Sequence, residues 1–576
     1  MNASEPAASQ RQTGVSQVEA LVIGAGPVGL TLANELARRA VRTRIIDKLP
    51  SIREVSKALI WHVRTQEALD KVGIMERGVS EAAPLREVVV QAYGKHIGSW
   101  KLDGIDSAYP HPLIIGQNRT QHLLEDLLIS RNAKVEWNTE AIRMSTRADS
   151  VTLTLRHSDP VTGEVQDEVV QANYVVGCEG SKSLVRQSMN LTFEGERYSG
   201  EQFIQADCKL SWGLPSGRSY LFLTTDGYMM AIELPDGRVR IFISLPDSPG
   251  ITQPAEGRQE AEGNPGAAED VSHEPSLAEV HEHFERLSGL NVRLADPVWL
   301  ARYRTSHRYA NKFREGRAFV AGDAGHVHVP IGGQGMNTGI QDAFNLGWKL
   351  AGVIRGAYRE EILDTYNQER HPVAKSLIKG TDFAYQGILH PSELKQQAVR
   401  LFGPFIMRTE TAQNFMRNTL EEMTISYPDT PLCLELGGGS GPKAGERALD
   451  APMVRSSDKR TLTLNELFRD AEWTLLLFTG THGQANPLPL RELASQVNQR
   501  HGAMIRSQVI SCEQIDSAAE IPGGSTLLDL VHYGHAKYGV THPAIYLVRP
   551  DSYIGFRGPL ATAPALFAYL AKVFTK

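Results

Sequence analysis

The sequence predicts an α/β fold that carries an inserted antiparallel β-sheet and a second α/β domain at its C-terminus. Three observations lead to this fold class. A short apolar strand that begins near residue 18 is followed by a glycine-rich turn and a helix. Over residues 201–245, short runs of alternating apolar and polar residues are separated by Asp-Gly turns. New strand and helix patterns begin at residue 473. At 576 residues the chain is long enough for about three or four domains of ordinary size.

The first element is a strand–turn–helix–strand unit. Residues 18–23 form an apolar strand, Gly24-Ala25-Gly26-Pro27-Val28-Gly29 follows directly, and a second strand ends at Asp47. In a G-x-G-x-x-G turn the first glycine permits the tight turn, the second lets the backbone approach a pyrophosphate, and the third lets the helix pack close. A tight turn without a ligand is the alternative, but the strand, the helix and the acid at the second strand end favour a Rossmann-like dinucleotide site.

A second glycine-rich segment occupies residues 316–354. The pattern predicts a strand over 318–321 that ends in Gly322-Asp323, then a Pro/Gly-rich loop, and then a long helix from Met336. Asp323 can accept hydrogen bonds from polyol hydroxyls, and the helix N-terminus can stabilise an electron-rich ring. The alternative for Asp323 is that it only caps the turn.

Between the two motifs, residues 219–223, 229–233 and 238–245 alternate between apolar and polar and are separated by Asp-Gly turns. This pattern is typical of β-hairpins. A flexible insertion is expected over residues 249–275, which are rich in Gly, Pro, Glu and Ala.

Composition excludes several function classes. With 60 Lys and Arg against 66 Asp and Glu, the net charge of −6 provides no broad basic surface for nucleic acid or an anionic membrane. No apolar run approaches the roughly 20 residues of a membrane span. The four cysteines are widely separated, which favours a reducing cytoplasm, and no metal site is predicted. These cysteines are Cys178, Cys208, Cys433 and Cys512.

Three segments follow one another in a characteristic order: residues 24–29, residues 174–186 (YVVGCEGSKSLVR), and residues 322–337 with GD and PIGGQGMN. Together they resemble the signatures of single-component flavoprotein aromatic hydroxylases of the para-hydroxybenzoate hydroxylase and phenol hydroxylase type. The resemblance covers about residues 18–375. It implies a Rossmann-like FAD-binding domain and the use of FAD, NAD(P)H, O2 and a small aromatic substrate.

The resemblance also implies site residues. Lys57 stands where the family usually has an Arg at the FAD phosphates, and Glu179 replaces the usual Asp of an Asp-Gly pair. The positions that match cofactor contacts are Gly24, Gly26, Pro27, Gly29, Asp47, Lys57, Gln117, Glu179, Gly180, Asp323, Pro330, Gly333, Gly335, Met336 and Asn337.

The family places one wall of its substrate cavity on the inserted sheet, so four apolar residues are candidates for this wall. They are Phe222, Met230, Ile232 and Phe242, although each could equally be an ordinary core residue of a half-buried sheet.

The implied reaction is monooxygenation of an aromatic, phenolic substrate. NAD(P)H reduces FAD, O2 adds to give a flavin hydroperoxide, and its distal OH is transferred to an electron-rich carbon. Phenol hydroxylases carry a catalytic Asp where this chain has Leu59, so the expected base is absent. His62 is the nearest titratable replacement, with an ordinary partly buried histidine as the alternative, and Pro330 would shape the site beside the flavin.

The domain organisation follows from these segments. We expect a disordered tail over 1–17, an FAD-binding domain over 18–195 and 296–375, a substrate-binding β-sheet domain over 196–295, and a helical segment over 376–426. A linker over 427–455 would precede a thioredoxin-like domain over 456–576, because residues 549–557 (RPDSYIGFR) resemble the end of that domain in phenol hydroxylase relatives. The predicted C-terminal domain lacks a C-x-x-C pair, so we expect it to have a structural role or to form a homodimer contact and not to catalyse thiol redox chemistry.

Other functions remain as alternatives. A flavin-dependent halogenase would share the FAD fold, but its W-x-W-x-I-P segment is absent. A disulfide reductase would need a redox cysteine pair, and a simple NAD dehydrogenase has no use for the second glycine loop. A flavin-binding sensor or interaction protein without turnover is the non-enzyme alternative.

Overall fold

A computed structural model describes residues 16–54, 58–197, 202–215, 217–245, 274–303, 306–329, 331–389, 392–470, 472–482, 486–513 and 524–575. Most of the predicted tail and of the predicted insertion 249–275 lies outside the described residues, as do Lys57 and Pro330. Among the helices of these ranges, none combines the length and apolar character that a bilayer span requires.

Within these ranges the α-helices are α1 Pro27–Ala37, α2 Val63–Val72, α3 Met75–Glu81, α4 Gln117–Ser130, α5 Leu184–Ser188, α6 Leu277–Ser288, α7 Gln334–Ile354, α8 Asp364–Leu389, α9 Glu393–Ile406, α10 Glu410–Leu420, α11 Leu464–Phe468, α12 Leu488–His501, α13 Tyr533–Lys537 and α14 Ala563–Val573. Short 3-10 turns cover Gly322–Ala324, Ile331–Gly333, Glu360–Leu363 and Leu560–Thr562.

The strands are β1 Ser16–Ile23, β2 Thr43–Ile46, β3 Ile60–Trp61, β4 Ala83–Pro84, β5 Glu87–Ala92, β6 Lys95–Lys101, β7 Leu113–Ile114, β8 Val135–Glu136, β9 Thr139–Thr146, β10 Val151–Ser158, β11 Val165–Gly177, β12 Phe193–Arg197, β13 Gln202–Ser211, β14 Ser219–Thr224, β15 Gly227–Glu233, β16 Val239–Leu245, β17 Arg293–Tyr303, β18 Ser306–Ala310, β19 Arg314–Glu315, β20 Ala318–Val320, β21 His326–Val327, β22 Leu434–Glu435, β23 Pro452–Arg455, β24 Thr461–Thr463, β25 Trp473–Phe478, β26 Ile505–Ser511, β27 Gly524–Leu528, β28 Ala544–Val548 and β29 Ile554–Pro559.

The first sheet confirms the predicted βαβ unit. Its strand order is β19-β20-β11-β1-β2-β8, and β1 is parallel to both of its neighbours, β2 and β11. Leu21 and Val22 of β1 are completely buried, as expected for a central parallel strand covered on both faces. Pro27 stands at the first position of α1, where its missing N–H costs nothing.

The second sheet has the order β17-β13-β16-β15-β14-β5-β6, and its strands β14, β15 and β16 form the predicted hairpins. Helix α6 packs on its outer face, where Phe284 is completely buried. The sheet also takes in β5 and β6 from residues 87–101 and extends β17 to Tyr303, so it is larger than the predicted segment 196–295. Local patterns reveal strands but not which distant strand pairs with them.

The C-terminal sheet has the order β22-β29-β28-β25-β26-β27-β23-β24. Two of its strands, β22 and β23, come from residues 427–455, where a linker is predicted, and Tyr427 and Ala451 in that segment are buried. This segment is therefore part of the C-terminal domain. Its Pro/Gly-rich composition is typical of linkers, but β22 pairs with β29 roughly 120 residues later and β23 pairs with β27 roughly 70 residues later, out of reach of local patterns. The thioredoxin-like character of this domain stays a prediction.

A buried ionic cluster joins the C-terminal domain to helices α7 and α8. The guanidinium of Arg549 donates to both carboxylate oxygens of Glu369 at 2.6 and 2.8 Å and also to Asp551 at 2.6 Å. Lys349 donates to Glu369 at 2.7 Å, and the indole of Trp348 donates to Asp551 at 3.1 Å. Burying these charges is tolerable because each of them has an opposite charge and hydrogen bonds.

Removing one member of this cluster is expected to destabilise the protein strongly. Arg549→Met leaves Glu369 and Asp551 buried with less compensation, so the free energy of urea unfolding should fall by about 3–5 kcal/mol. The control is Arg506→Met, which breaks an ion pair with Asp470 whose side chains are 57% and 50% exposed. That loss should stay below about 1 kcal/mol. Equal losses in the two variants would contradict a stabilising role for the buried cluster.

Candidate active site

One cavity of about 2000 Å³ lies between the first sheet and the second sheet. Both glycine-rich turns open into it, and one face of the second sheet forms its opposite wall. Of the predicted cofactor positions, the ones that line it are Gly24, Gly26, Pro27, Asp47, Gln117, Glu179, Gly180, Asp323, Gly333, Gly335 and Met336.

The first turn has the geometry of a phosphate-binding turn. Gly24 has φ 100°, and a Cβ on Gly29 would lie 1.9 Å from the Gly24 carbonyl oxygen, so neither position accepts a side chain. Gly29 therefore lies behind the cavity wall and allows the close approach of α1. A Cβ on Gly26, in contrast, would meet no protein atom within 4 Å. The backbone at Gly26 is thus open to the cavity at the N-terminus of α1, which fits an FAD diphosphate.

Asp47 lies at the carboxyl end of β2, on the edge of the same turn. Its carboxylate accepts hydrogen bonds from the Ala25 backbone N–H at 2.8 Å and from the Leu49 N–H at 2.9 Å. These bonds hold the side chain at the cavity wall, where it can accept further hydrogen bonds from ribose hydroxyls.

The second turn, Gly322-Asp323, is held from behind by Asp342 of α7. The Asp342 carboxylate accepts from the Gly322 N–H at 3.1 Å, from His326 at 2.7 Å and from Arg370 at 2.7 Å. Burial raises the pKa of Asp342, but the charges of Arg370 and His326 outweigh burial and lower it, so the carboxylate is ionised.

The same turn is packed against the first one. A Cβ on Gly322 would lie 2.8 Å from the Val28 side chain, and a Cβ on Gly339 would lie 2.7 Å from it. The start of α1, the Gly-Asp turn and α7 therefore meet at two glycines. This contact leaves the exposed side chain of Asp323 at the cavity.

Glu179 serves first as a helix cap. Its Oε1 accepts from the Ser183 hydroxyl at 2.9 Å and from the Val185 N–H at 3.0 Å, at the start of α5. Burial raises the pKa of this carboxyl. Gly180 follows with φ 85° and lines the cavity.

His62 lines the cavity with both ring nitrogens engaged. Its Nε2 lies 2.8 Å from the Gly332 carbonyl oxygen, and its Nδ1 lies 3.2 Å from a carboxylate oxygen of Glu421, after the end of α10. Burial lowers the pKa of His62, but the charge and hydrogen bond of Glu421 outweigh burial and raise it to about 9. The ring is therefore an imidazolium that holds residues 331–333 against the segment after α10.

Asn337 lies behind the cavity wall and supports the same loop. Its amide accepts from the His62 N–H at 2.9 Å and donates to the carbonyl oxygens of Ile60 at 2.9 Å and Gly333 at 2.8 Å. It therefore ties β3 to the loop that precedes α7, and it does not line the cavity.

The wall on the second sheet differs from the prediction at one position. Met230, Ile232 and Phe242 line the cavity, whereas Phe222 does not. Phe222 packs in the core on the opposite face, with its ring centroid 6.5 Å from that of Phe284. Side chains alternate along a strand, so the neighbouring Leu221 faces the cavity instead.

Several residues at the cavity wall or directly behind it carried no signal in the sequence. Glu421 and Glu422 follow α10, and Asp342 and Arg370 lie within helical patterns, where carboxylates and guanidinium groups are usually solvated. The i, i+3/i+4 apolar spacing of α7 could have indicated Asp342, because it stands on the buried face of that helix. Leu59, at the position of the missing base, is buried and lines the cavity.

Comparison with known proteins agrees with this geometry. The family model described as FAD binding domain matches residues 17–381. The 6-methylpretetramide 4-monooxygenase of Streptomyces rimosus is 29% identical over 559 residues, which cover 96% of this chain and 93% of that protein. The pentachlorophenol 4-monooxygenase of Sphingobium chlorophenolicum is 29% identical over 560 residues, 94% of each chain.

A solved structure supports the same relationship. The anhydrotetracycline hydroxylase of Streptomyces rimosus matches with a TM-score of 0.72 at 27% identity, over 97% of this chain and 99% of that one. The predictions of an FAD-binding α/β fold, of a flavoprotein monooxygenase and of FAD with NAD(P)H as reductant are therefore confirmed. The chain belongs to the FAD binding domain family.

Proposed function

We propose that this protein is a monooxygenase that uses FAD, NAD(P)H and O2 to hydroxylate a polycyclic phenol. The observation that carries the proposal is one continuous cavity of about 2000 Å³ that joins two glycine-rich turns to a wall of the second sheet. Ligand pockets usually measure about 300–1000 Å³. This cavity therefore has room for both a dinucleotide and a fused-ring substrate.

Similar proteins support the fused-ring substrate. The names 6-methylpretetramide 4-monooxygenase and anhydrotetracycline hydroxylase each refer to a polycyclic compound, and both proteins match almost the whole chain. The pentachlorophenol relative supports a phenolic hydroxyl on the ring.

The residues of the chain position and shield the reactants. When bound, FAD supplies the redox chemistry that activates O2. Gly24, Gly26 and Asp47 would hold its adenosine diphosphate part, and Asp323 its ribityl chain. The apolar side chains of Leu59, Met230 and other wall residues exclude water from the reacting ring.

We assign His62 a positioning role instead of the role of a base. An imidazolium whose two nitrogens face the Gly332 carbonyl and Glu421 has no lone pair with which to take a proton from a phenol. The proposal therefore includes no side-chain base at residue 59 or 62, and the substrate is one that ionises readily or reacts as the neutral phenol.

A cytoplasmic location and a homodimer complete the proposal. Support for the first comes from the four cysteines, which are all free thiols. Support for the second comes from the exposed apolar side chains of Leu401, Phe405 and Phe415 on α9 and α10. Analytical ultracentrifugation tests the dimer.

The activity has a direct test. The purified protein should show a flavin absorption spectrum, and NAD(P)H consumption should rise when hydroxylated naphthalenes or anthracenes are added. Mass spectrometry should find products heavier by one oxygen atom. A flavin-binding sensor would show the spectrum without product, and a halogenase would require chloride or bromide for product formation. Either result would contradict the proposed monooxygenase.

A matched pair of glycine variants tests the phosphate-binding turn. Gly26→Val places a side chain in the open space beside α1, so FAD binding should weaken by about a hundredfold while the apoprotein keeps its stability. Gly29→Ala places a Cβ against the Gly24 carbonyl, so the apoprotein itself should lose about 1–3 kcal/mol of unfolding free energy. Flavin fluorescence titration and urea unfolding measure the two effects. Wild-type FAD affinity in Gly26→Val would contradict the assignment of the turn.

The His62–Glu421 pair predicts a pH dependence of stability. The pKa of His62 is raised from about 6.5 in the unfolded chain to about 9 in the folded protein. Its stabilising contribution is therefore complete below pH 6.5 and is lost as the pH rises through 9. The difference in unfolding free energy between wild type and His62→Gln should shrink between pH 6 and pH 10 by an amount on the order of 3 kcal/mol.

The exposed His96 provides the control for this titration, and His96→Gln should follow the wild-type pH profile. Urea unfolding in buffers from pH 6 to pH 10 measures all three proteins. A His62→Gln profile parallel to that of the wild type would show that the ring is not an imidazolium.

A further inference from the structure

Helix α9 has two apolar sides, and the protein covers one of them. On the covered side, Val399 and Met407 pack against the cluster that contains Ile97 of the edge strand β6. A Cβ on Gly403 would lie 2.9 Å from the Ile97 side chain, so this side of the helix is in close contact with the strand.

The other side of α9 is exposed to solvent. Leu394, Leu401 and Phe405 recur at helical spacing and form one stripe, with Phe402 and Ile406 beside it. These five side chains are between 52% and 79% exposed, and we call them the outer face of α9. A helix that is apolar on both sides is normally covered on both.

The outer face is large enough for a stable dimer contact. Covering an aromatic side chain removes about 150–250 Å² from water, so these five exposed side chains can bury on the order of 600 Å². A standard interface takes about 800 Å² from each partner, of which roughly 60% is apolar. The outer face therefore supplies the apolar part of such an interface by itself.

The charges around the outer face suit a second copy of the chain. Glu393 begins α9, and the exposed Arg408 follows its end. A twofold axis that pairs two α9 helices antiparallel places the acidic start of each against the basic end of the other. Lys395 and Arg400 add positive charge that would suit an anionic membrane, but the net charge of −6 on the whole chain opposes that surface.

Helix α10, which follows α9, forms part of the cavity wall. Its residues Met416, Thr419 and Leu420 line the cavity. Within α9 and α10 none of the residues is fully buried. Segments with so little buried apolar surface are the ones that open locally at low cost in free energy. This wall of the cavity is therefore weakly stabilised by the single chain.

Gln413 of α10 connects the two helices to the edge strand. Its side-chain amide accepts from the Lys101 N–H at 3.0 Å and donates to the Ser99 carbonyl oxygen at 2.9 Å, as a neighbouring strand would. It also donates to the Met407 carbonyl oxygen at the end of α9. A contact that holds α9 in place thus also acts on α10.

We propose that the outer face of α9 binds the same face of a second copy, and that this contact stabilises the cavity wall formed by α10. The inference rests on the proposed function: it places the homodimer on one surface and couples it to substrate binding. Because coupling between two sites is reciprocal, an aromatic ligand in the cavity also tightens the dimer.

A matched pair of double variants tests the surface on the full FAD-loaded chain. Leu401→Ser with Phe405→Ser removes the centre of the outer face and should weaken the dimer about a hundredfold. Leu530→Ser with Val531→Ser is the control, since these side chains are 56% and 78% exposed in the C-terminal domain. It should keep the dissociation constant of the dimer. Sedimentation velocity at several protein concentrations measures all three proteins, and the flavin spectrum checks that each one is folded.

Binding of 2-naphthol, followed by the change in flavin absorption, tests the coupling. The monomeric variant should bind 2-naphthol about fivefold more weakly than the dimeric wild type. Wild type diluted to the monomer should show the same weaker binding, and saturating 2-naphthol should shift it back toward the dimer. Hydrogen exchange of residues 410–420 should be faster in the monomer, because α10 has lost its support.

Each contrary result overturns a defined part of the inference. A wild type that is monomeric at every concentration overturns the contact, and a dimer that survives in Leu401→Ser with Phe405→Ser overturns its placement while the homodimer stands. A monomeric variant with wild-type 2-naphthol affinity overturns the coupling. Wild type that sediments with phosphatidylglycerol vesicles and stays monomeric without them shows that a membrane covers the face instead. Oxygenated product is measured separately, so the proposed monooxygenase stands or falls on its own assay.

Discussion

The ion pair between Asp342 and Arg370 is the interaction on which the cavity depends. Both side chains are completely buried, and the Asp342 carboxylate also accepts hydrogen bonds from the Gly322 backbone N–H and from the His326 ring. Arg370 donates in turn to the Tyr427 hydroxyl at 2.9 Å and to the Thr338 carbonyl oxygen at 3.0 Å. Each charge in this group has an opposite charge or a hydrogen-bond partner. Because Asp342 lies on α7 and Arg370 on α8, these two helices hold the Gly-Asp turn in place.

The same helix connects the cofactor turn to the C-terminal domain. Glu369 precedes Arg370 on α8 and accepts hydrogen bonds from both Nη atoms of Arg549. The ring of Tyr427 packs against that of Tyr553 at a tilt of 44°, with the centroids 4.4 Å apart. A domain without a thiol pair thus contributes structure to the FAD site. These buried hydrogen bonds connect the C-terminal domain to α8 and, through Arg370, to the turn.

Local sequence patterns predicted those elements whose structure depends mainly on residues close together in the chain. The first glycine turn, the hairpins of β14–β16 and the helices after residue 376 were all visible, because each is determined by neighbouring residues. Long-range pairing was not visible: the segment predicted as a linker joins the C-terminal sheet, and Phe222 faces α6 because alternation along β14 places Leu221 toward the cavity. Glu421 follows α10 and Asp342 lies on α7, so spacing alone could not connect them to His62 or Gly322.

These contacts indicate which residues of the site support its structure and which steps are left to the cofactor. His62, with Nε2 on the Gly332 carbonyl and Nδ1 in an ion pair with Glu421, serves as a support, and Leu59 occupies the place of the expected base. If the cofactor supplies the reactivity, the protein selects the site of reaction by placing one ring carbon of the substrate next to the cofactor. Presentation requires a wall with two unlike ends, since an apolar surface alone would let a flat ring system rotate or slide. The second sheet lines the cavity with apolar side chains such as Met230 and Ile232 and with polar ones such as Tyr228 and Arg240, so its contacts differ from one part of the wall to another.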